Sequence, residues 1–447
     1  MSTVRHFWPE LPRWLAQLPD SRFEPFVVYE RQFLTWWGLL IFCLKLGSRR
    51  QLDFELRDLE THVLDNVNRL AKTQQDSLPV HKTLAHFLGH VGSDALADLR
   101  TRCMRRLIRM KALDDYRLQG RVVVGLDGTG YLTFNERHCP TCLTQKQGEI
   151  TTYMHQALEA KVLSDTGLAL SIGTEFIHNT DAPSQPSSVD YKEYKQDCEL
   201  KAFLRLAPAL KKNFPQTPLC FTADSLFGCG TAMQVFEENN WSYFVTFKPG
   251  RTPALWQDFL GRLKLAPQNL RRVVLPNGAT QRFRWINDLP HVDDQGRTHH
   301  PNAIICEETL GEQTTTYAWL TNLPISAKNV QTIAQKGGRI RQTIENQGFN
   351  TQKTSDLNME HAYGCGPDTI YSFYYLLQIA HIFLQLLEKG SLLRNIARRY
   401  NANPRQLFGS LKNIARRLLD CFRYFPIPLD CFDPSAAAAL KIRLDTG

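Results

Sequence analysis

The sequence predicts an α/β fold, a mixed sheet flanked by helices, with a helical N-terminal domain ahead of it and a β-rich insertion within it. Three observations point there. Residues 1–118 carry apolar side chains at helical spacing with no strand signal between them. From Arg121 short β-branched runs alternate with helical patterns, and between 249 and 325 the pattern turns mostly extended. At 447 residues the chain exceeds one ordinary core. It divides into a helical region (1–118), a first core part (119–248), the insertion (249–325), a second core part (326–390) and basic C-terminal helices (391–447).

In the first region Trp36, Trp37, Leu40 and Leu44 recur at helical spacing, as do Leu56, Leu59, Val63, Val67 and Leu70. Ser93 or Asp94 can cap a helix through ALADLRTRCMRRLIRMKAL, on which Arg102, Arg105, Arg106 and Arg109 lie within two turns. This is the densest basic stripe in the chain. It reads either as a solvated helix face or as a contact to a DNA backbone, since phosphate binding needs charge density and little else.

RVVVGLDG reads as a buried central strand closing at Asp127 and Gly128. YMHQALEAKVL and LALSIGTEFI, separated by Asp165, Thr166 and Gly167, form a hairpin pattern, and NTDAPSQPSSVD reads as an exposed loop. A helix through CELKAFLRLAPALKKNF follows, interrupted at Pro208. LCFTADS is a second buried strand closing at Asp224, followed by a helix through AMQVFEENN and the strand WSYFVTF. In the insertion, Asn277-Gly278 between two extended runs marks a hairpin. From Ser326 a helix is expected through AKNVQTIAQKGGRIRQTIENQGF, then an amphipathic one around Phe373–Leu387. RNIARRY and KNIARRL near the end resemble each other, and Pro404 and Gly409 between them place them on separate helices.

Hydrophobic content of 43% against 22% charged residues excludes a disordered chain. Lys and Arg number 53 against 44 Asp and Glu, a balance of +9 that suits a polyanionic partner. Eleven cysteines, an odd number, and a start (MSTVRHFWPELPRW) lacking an apolar leader point to a reducing cytoplasm. Phe33–Leu44 is too short to span a bilayer and Phe373–Leu387 is broken by Gln378, His381 and Gln385, so no membrane partner is expected.

Asp127 and Asp224 each close a strand and are each followed by a small residue, which leaves room for a ligand where sheet carboxyl ends usually bind one. Hard divalent cations need only two or three such carboxylates, and two ions about 4 Å apart can activate a nucleophile and stabilise a leaving oxygen in phosphodiester transfer. Glu345 lies on a segment where Ile344 and Phe349 can face the sheet; by pattern alone it reads as an exposed acid pairing with Arg341.

The segments VVVGLDGTG, CFTADSLFG and GGRIRQTIENQGFN with its continuation TQKTSDLNMEHAYG resemble, in order, the Asp, Asp and Glu blocks of bacterial insertion-sequence transposases of the DDE class, over roughly 120–390. The resemblance implies a ribonuclease H-like catalytic core with a β-rich insertion between the second Asp and the Glu. It further implies Asp127, Asp224 and Glu345 as catalytic metal ligands for two Mg²⁺ ions (or Mn²⁺), and cleavage at transposon ends followed by strand transfer into target DNA. The partners it implies are those DNA segments and a second copy of the chain in the DNA complex, at the bacterial nucleoid in the cytoplasm. The Glu block of the subgroup reads Tyr, two residues, Arg, three residues, Glu, six residues, Lys. Arg341 and Glu345 match it, and by the resemblance Arg341 contacts DNA phosphate. Gly338 stands where Tyr is expected and Gln352 where Lys is expected, leaving Lys353 one position late as a DNA-binding candidate. The insertion of such enzymes can carry a Trp that stacks on a flipped base, and Trp285 and Trp319 are available, though aromatics of small β units are more often core. A nuclease on the same core, or a non-catalytic DNA-binding relic of a transposon, are the competing readings.

Cys139 and Cys142 form a CxxC in the loop after the first strand. With no second CxxC, a zinc site would have to recruit a distant group such as His155, His178 or Cys229; the plainer reading is a reduced loop.

Overall fold

The computed structural model describes residues 1–57, 61–137, 139, 141–179, 197–354, 356–364, 366–432 and 441–444. It is a mixed α/β structure built on one long sheet. The strands are β1 (Val122–Phe134), β2 (Leu143–Gln147), β3 (Ile150–Leu163), β4 (Ala169–Ile177), β5 (Leu219–Ala223), β6 (Ser242–Thr246), β7 (Leu270–Val274), β8 (Thr280–Ile286), β11 (Asn302–Leu310) and β12 (Gln313–Thr321), while β9 (His291–Val292) and β10 (Thr298–His299) form a separate small ladder. Across the sheet the order is β2-β3-β1-β5-β6-β12-β11-β8-β7, with β4 also against β3. β3 is antiparallel to β1 and β4 to β3, whereas β5 and β6 run parallel to β1. The central position of β1 and β5 follows from their sequences: Val122–Leu126 and all of LCFTA are buried, as continuous apolar runs covered on both faces must be.

β1 extends further than its sequence predicts. It does not close at Asp127 but continues to Phe134, because β3 pairs with it from Val124–Val162 out to Phe134–Tyr153. The hairpin between β3 and β4 forms around Gly167, whose φ of +91° places it in the left-handed region. The Pro- and Ser-rich segment from Thr180 to Gln196 lies outside the described residues. The following helix, Glu199–Asn213, is not interrupted at Pro208. The carbonyl that Pro208 leaves without an amide partner belongs to Leu204, which is exposed to solvent that can serve it.

The segment 249–325 begins with a helix, Pro253–Leu265. Its strands prolong the central sheet: β12 pairs antiparallel with β6, as Trp319–Thr246, Leu320–Val245 and Thr321–Phe244. The β7–β8 turn carries Asn277-Gly278, with Gly278 at φ +84° and the Asn277 side-chain Oδ1 accepting from the Ala279 amide.

Residues 330–354 cross this sheet as an irregular helix. Regular turns at Val330–Ile333 give way to π-helical turns at Ala334–Gly338 and Ile344–Phe349, with a 3₁₀ turn between them. Gly337 and Gly338 explain how close it lies, since a Cβ on the first would collide with the Phe244 ring and on the second with the Trp319 ring. Trp285 and Trp319 are thereby core residues, buried in a cluster with Ile333 and Ile344, and present no ring to a DNA base.

Pro367–Lys389 is the one helix among the described residues long and apolar enough to cross a membrane, and it is buried within the fold. Its polar residues serve the sheet: Gln378 accepts from Lys161 Nζ at 2.7 Å and Gln385 from the Ala169 amide at 2.8 Å. The N-terminal helices pack on it, and one continuous core runs from Trp8 and Trp37 through Phe383 to β1. RNIARRY and KNIARRL begin in separate helices, Ser391–Arg398 and Leu411–Tyr424. The second returns to the helix Val63–Ala71, where Asn66 Nδ2 donates to the Phe422 and Phe425 carbonyls.

Replacing Gly338 by Ala tests the close approach. Helix propensity alone favours Ala by about 1 kcal/mol. The collision with Trp319 reverses the sign, so chemical denaturation is expected to show a net loss of about 1–3 kcal/mol. A stabilised Gly338→Ala variant would contradict the packing described.

Candidate functional site

The register of two strands sets the position of the first two acids. β1 and β5 run parallel and in register from Val122–Leu219 to Leu126–Ala223, where their pairing stops. Asp127 and Asp224 are the next residue of each chain. They stand together at the fork where β5 ends and β1 continues along β3, the place where an open α/β sheet leaves room for a ligand. Asp224 accepts from the Leu226 amide at 2.8 Å, capping the short turn Ser225–Phe227, which fixes its rotamer. Gly125 shapes the other side. A Cβ there would lie 2.7 Å from Leu163 Cδ1 and 3.2 Å from Ile344 Cβ, so its absence lets the helical segment carrying Glu345 settle on β1.

Arg341 does not pair with Glu345. It reaches Asp127 instead, Nη1 to Oδ2 at 3.1 Å. Glu345 is exposed, and near enough to Asp127 that its charge perturbs that carboxyl. Burial pushes the Asp127 pKa up to about 6; Arg341 opposes the rise, the charges of Asp224 and Glu345 add to it, and the Gly128 amide opposes it.

A fourth carboxylate, which the sequence reading missed, belongs to this group. Glu199 opens the helix Glu199–Asn213 and lies over Gly128, so closely that a Cβ on Gly128 would overlap its carboxyl group. Burial pushes its pKa up to about 7, Asp127 and Asp224 add to the rise, and Arg341 opposes it. The only local signal was Gly128 after the first Asp, which was assigned to leaving space for a metal. The structure fills that space with Glu199.

Four carboxylates against one guanidinium form a concentration of negative charge; burial is the main cause of the two elevated pKa values, and the neighbouring acids add to it. Such a donor set, hard oxygens held partly out of water, fits divalent cations of the Mg²⁺ type. The acids are spread rather than pinched: among the described residues the one group of three or more His, Cys, Asp or Glu ligand atoms lying within 4.8 Å of one another is Cys139, Cys142 and His155.

The remaining expected residues lie as follows. Lys353 pairs with Glu360 at 3.0 Å. Gln352, at the position where Lys was expected, is fully buried and hydrogen-bonds Gln378 and Lys161. Gly338 has no room for the expected Tyr because Trp319 occupies it. Arg102, Arg105 and Arg109 are exposed on the helix Ser93–Arg109 and line an open cleft with Arg13 and residues 213–217. Arg105 Nε donates to the Asn213 carbonyl at 2.6 Å, which ties the helix Ser93–Arg109 to the C-terminal end of the helix Glu199–Asn213 across that cleft. Arg106 turns instead to Glu10 at 3.4 Å. No protein-family model matches the chain, and no curated protein matches it.

The two elevated acids would make any cation binding at this group pH-dependent. Each has a folded pKa above its ordinary value, so its contribution to stability is full below the ordinary carboxylate range and is lost as pH rises through about 6 for Asp127 and about 7 for Glu199. A cation that binds the ionised acids restores it. Addition of about 10 mM Mg²⁺ is therefore expected to raise the unfolding temperature by about 1–3 °C at pH 8 and by almost nothing at pH 5. In Glu199→Gln the metal-free protein gains stability at pH 8 relative to wild type. A Mg²⁺ effect equal at both pH values, measured by scanning calorimetry, would remove the acids from cation binding.

Proposed function

We propose that the chain is a DNA transposase of the DDE class, with Asp127, Asp224 and Glu345 as the ligands of two divalent cations. The observation that supports the reading is that Asp127 and Asp224 follow the last pair of the β1–β5 ladder side by side, with Glu345, far away in sequence, near enough for its charge to act on Asp127. The strand order β4-β3-β1-β5-β6, three antiparallel strands followed by two parallel ones, supports a ribonuclease H-like core. The departure of 249–325 from the middle of that core, between Asp224 and Glu345, supports the same assignment.

The cations, Mg²⁺ or Mn²⁺, supply activation of the attacking water or 3′ hydroxyl and charge stabilisation on the leaving oxygen. Asp127, Asp224 and Glu345 would hold these cations. Arg341 holds Asp127 by its ion pair and would offer its remaining guanidinium donors to a DNA phosphate. Glu199, over Gly128, would add a further acid beside the cations. The exposed stripe of Arg102, Arg105 and Arg109 grips the backbone of a bound duplex, and two copies of the chain hold the two ends that the reaction joins.

Uncut duplex DNA carrying the sequence that flanks the coding region is the substrate for the test. With Mg²⁺ the wild-type chain is expected to nick it and to join the freed end to a second duplex; nicking without joining would reduce the assignment to a nuclease. Asp127→Ala, Asp224→Ala and Glu345→Ala should each lower cleavage by at least about 10³-fold with DNA binding within about threefold of wild type. A variant that still cuts takes its residue out of the mechanism. A second expectation concerns the basic stripe: Arg102→Ala with Arg105→Ala should weaken DNA binding and reduce the slope of log affinity against log salt by about 2. An unchanged slope would assign the stripe to solvent.

A further inference from the structure

A second donor cluster lies away from the carboxylates, at the far end of the β1–β3 ladder. Cys139 and Cys142 sit on the loop between β1 and β2, and His155 projects from β3 where it pairs with Leu132 of β1, beside the irregularity at Gly130–Leu132. Cys139 Sγ lies 3.4 Å from Cys142 Sγ, and each sulfur lies 3.5 Å from His155 Nε2. Three ligand atoms on a tetrahedron with Zn–S near 2.3 Å and Zn–N near 2.0–2.1 Å stand roughly 3.8 Å apart for sulfur to sulfur and roughly 3.6 Å for sulfur to nitrogen. The triangle is thus within a few tenths of an ångström of the spacing that zinc imposes, and too wide for a disulfide, whose sulfurs lie near 2.05 Å.

We propose that Cys139, Cys142 and His155 bind one Zn²⁺ as a structural ion, supplying three of its four positions. Both thiols give up their protons to solvent on binding, and His155 binds as neutral imidazole through Nε2. The surroundings suit a structural ion. Cys142 and His155 are buried, and Tyr131 and Phe134 pack their rings against His155, with centroids at 6.0 and 6.2 Å. Backbone bonds fix the knuckle: the Cys142 amide donates to the Cys139 carbonyl, the Asn179 amide donates to the Thr141 carbonyl, and Asn179 Nδ2 donates to the Cys142 carbonyl at 3.0 Å. The ion would pin the loop that leaves β1 to β3, and through the end of β4 at Asn179 to the third strand. It would therefore fasten the end of the strand whose middle carries Asp127. Soft thiolates distinguish it from the carboxylate site, which selects hard ions.

The test is the metal content of the full-length chain, purified in reductant without chelator. Wild type is expected to carry about one zinc per chain by elemental mass spectrometry. After exchange with Co²⁺ it should show the intense d–d absorption of tetrahedral cobalt and a thiolate-to-cobalt charge-transfer band. Cys139→Ser and His155→Asn should each hold less than about a tenth of that zinc. Asp127→Ala should keep it all, so this result stands or falls apart from the carboxylate chemistry. Wild type that carries no zinc and takes up neither Zn²⁺ nor Co²⁺ overturns the proposal. So does a chain whose mass shows Cys139 and Cys142 joined as a disulfide under the same reductant, or zinc retained in full by both variants. If a variant fails to fold, the cobalt spectrum of wild type decides alone.

Discussion

The parallel pairing of β1 with β5 is the constraint on which the site depends. It ends at Leu126–Ala223, and by ending there it puts one aspartate of each strand at the same height with no further ladder between them. A slip of one residue would turn one of the two side chains to the opposite face of the sheet. The register is held by burial on both sides: Val122, Val124 and Leu126 pack into the core shared with the N-terminal helices, Val123 into the layer beneath the irregular helix. The strand that must be straight and buried for packing is thus the strand that must deliver a charge.

Charge crowding is the second theme. Around Asp127 the fold gathers Asp224, Glu199 and Glu345 and offers one counter-ion, Arg341. Across the same ladder Asp127 pairs with Glu159, which is fully buried, accepts from Tyr374 and Thr174, and lies 3.5 Å from the equally buried Lys161. The two arrangements differ in what completes them. Glu159 has its cation built into the protein, with Gln352 and Gln378 taking the remaining hydrogen bonds of Lys161. The outer acids share one guanidinium among four carboxylates, and burial together with that imbalance raises the pKa of Asp127 and Glu199.

Much of the fold was legible because its elements are locally consistent. Period-two and period-3.6 patterns, a Gly167 hairpin and an Asn-Gly turn each carry their own signal. What was not legible depended on neighbours. The length of β1 beyond Asp127 is set by β3, whose paired residues come 19 or more positions later; the survival of the helix through Pro208 is set by solvent at Leu204. At the site, the two aspartates carried a pattern, strand then acid then small residue. Glu199 carried none, being one more acid in the first turn of a helix, where such residues are favoured by the dipole alone. Gln352 and Gly338 departed from the motif that Arg341 and Glu345 satisfy, and both departures have steric causes: one side chain is committed to Lys161, and the other has been replaced by a tryptophan ring from β12. The cysteine pair was visible, and His155 was one of three groups named beside it; strand pairing rather than spacing singles out His155, 13 positions after Cys142, by bringing it close.

Because 249–325 lengthens the sheet instead of closing a separate barrel or sandwich, the sheet has a border at β7. An unpaired border strand is a template on which another chain can add itself. Here that strand reads Leu270-Arg271-Arg272-Val273-Val274, with both arginines exposed. Aligning a second copy edge to edge would bring like charges together, a repulsion that discourages fibre growth while leaving the border attractive to a polyanion laid along it.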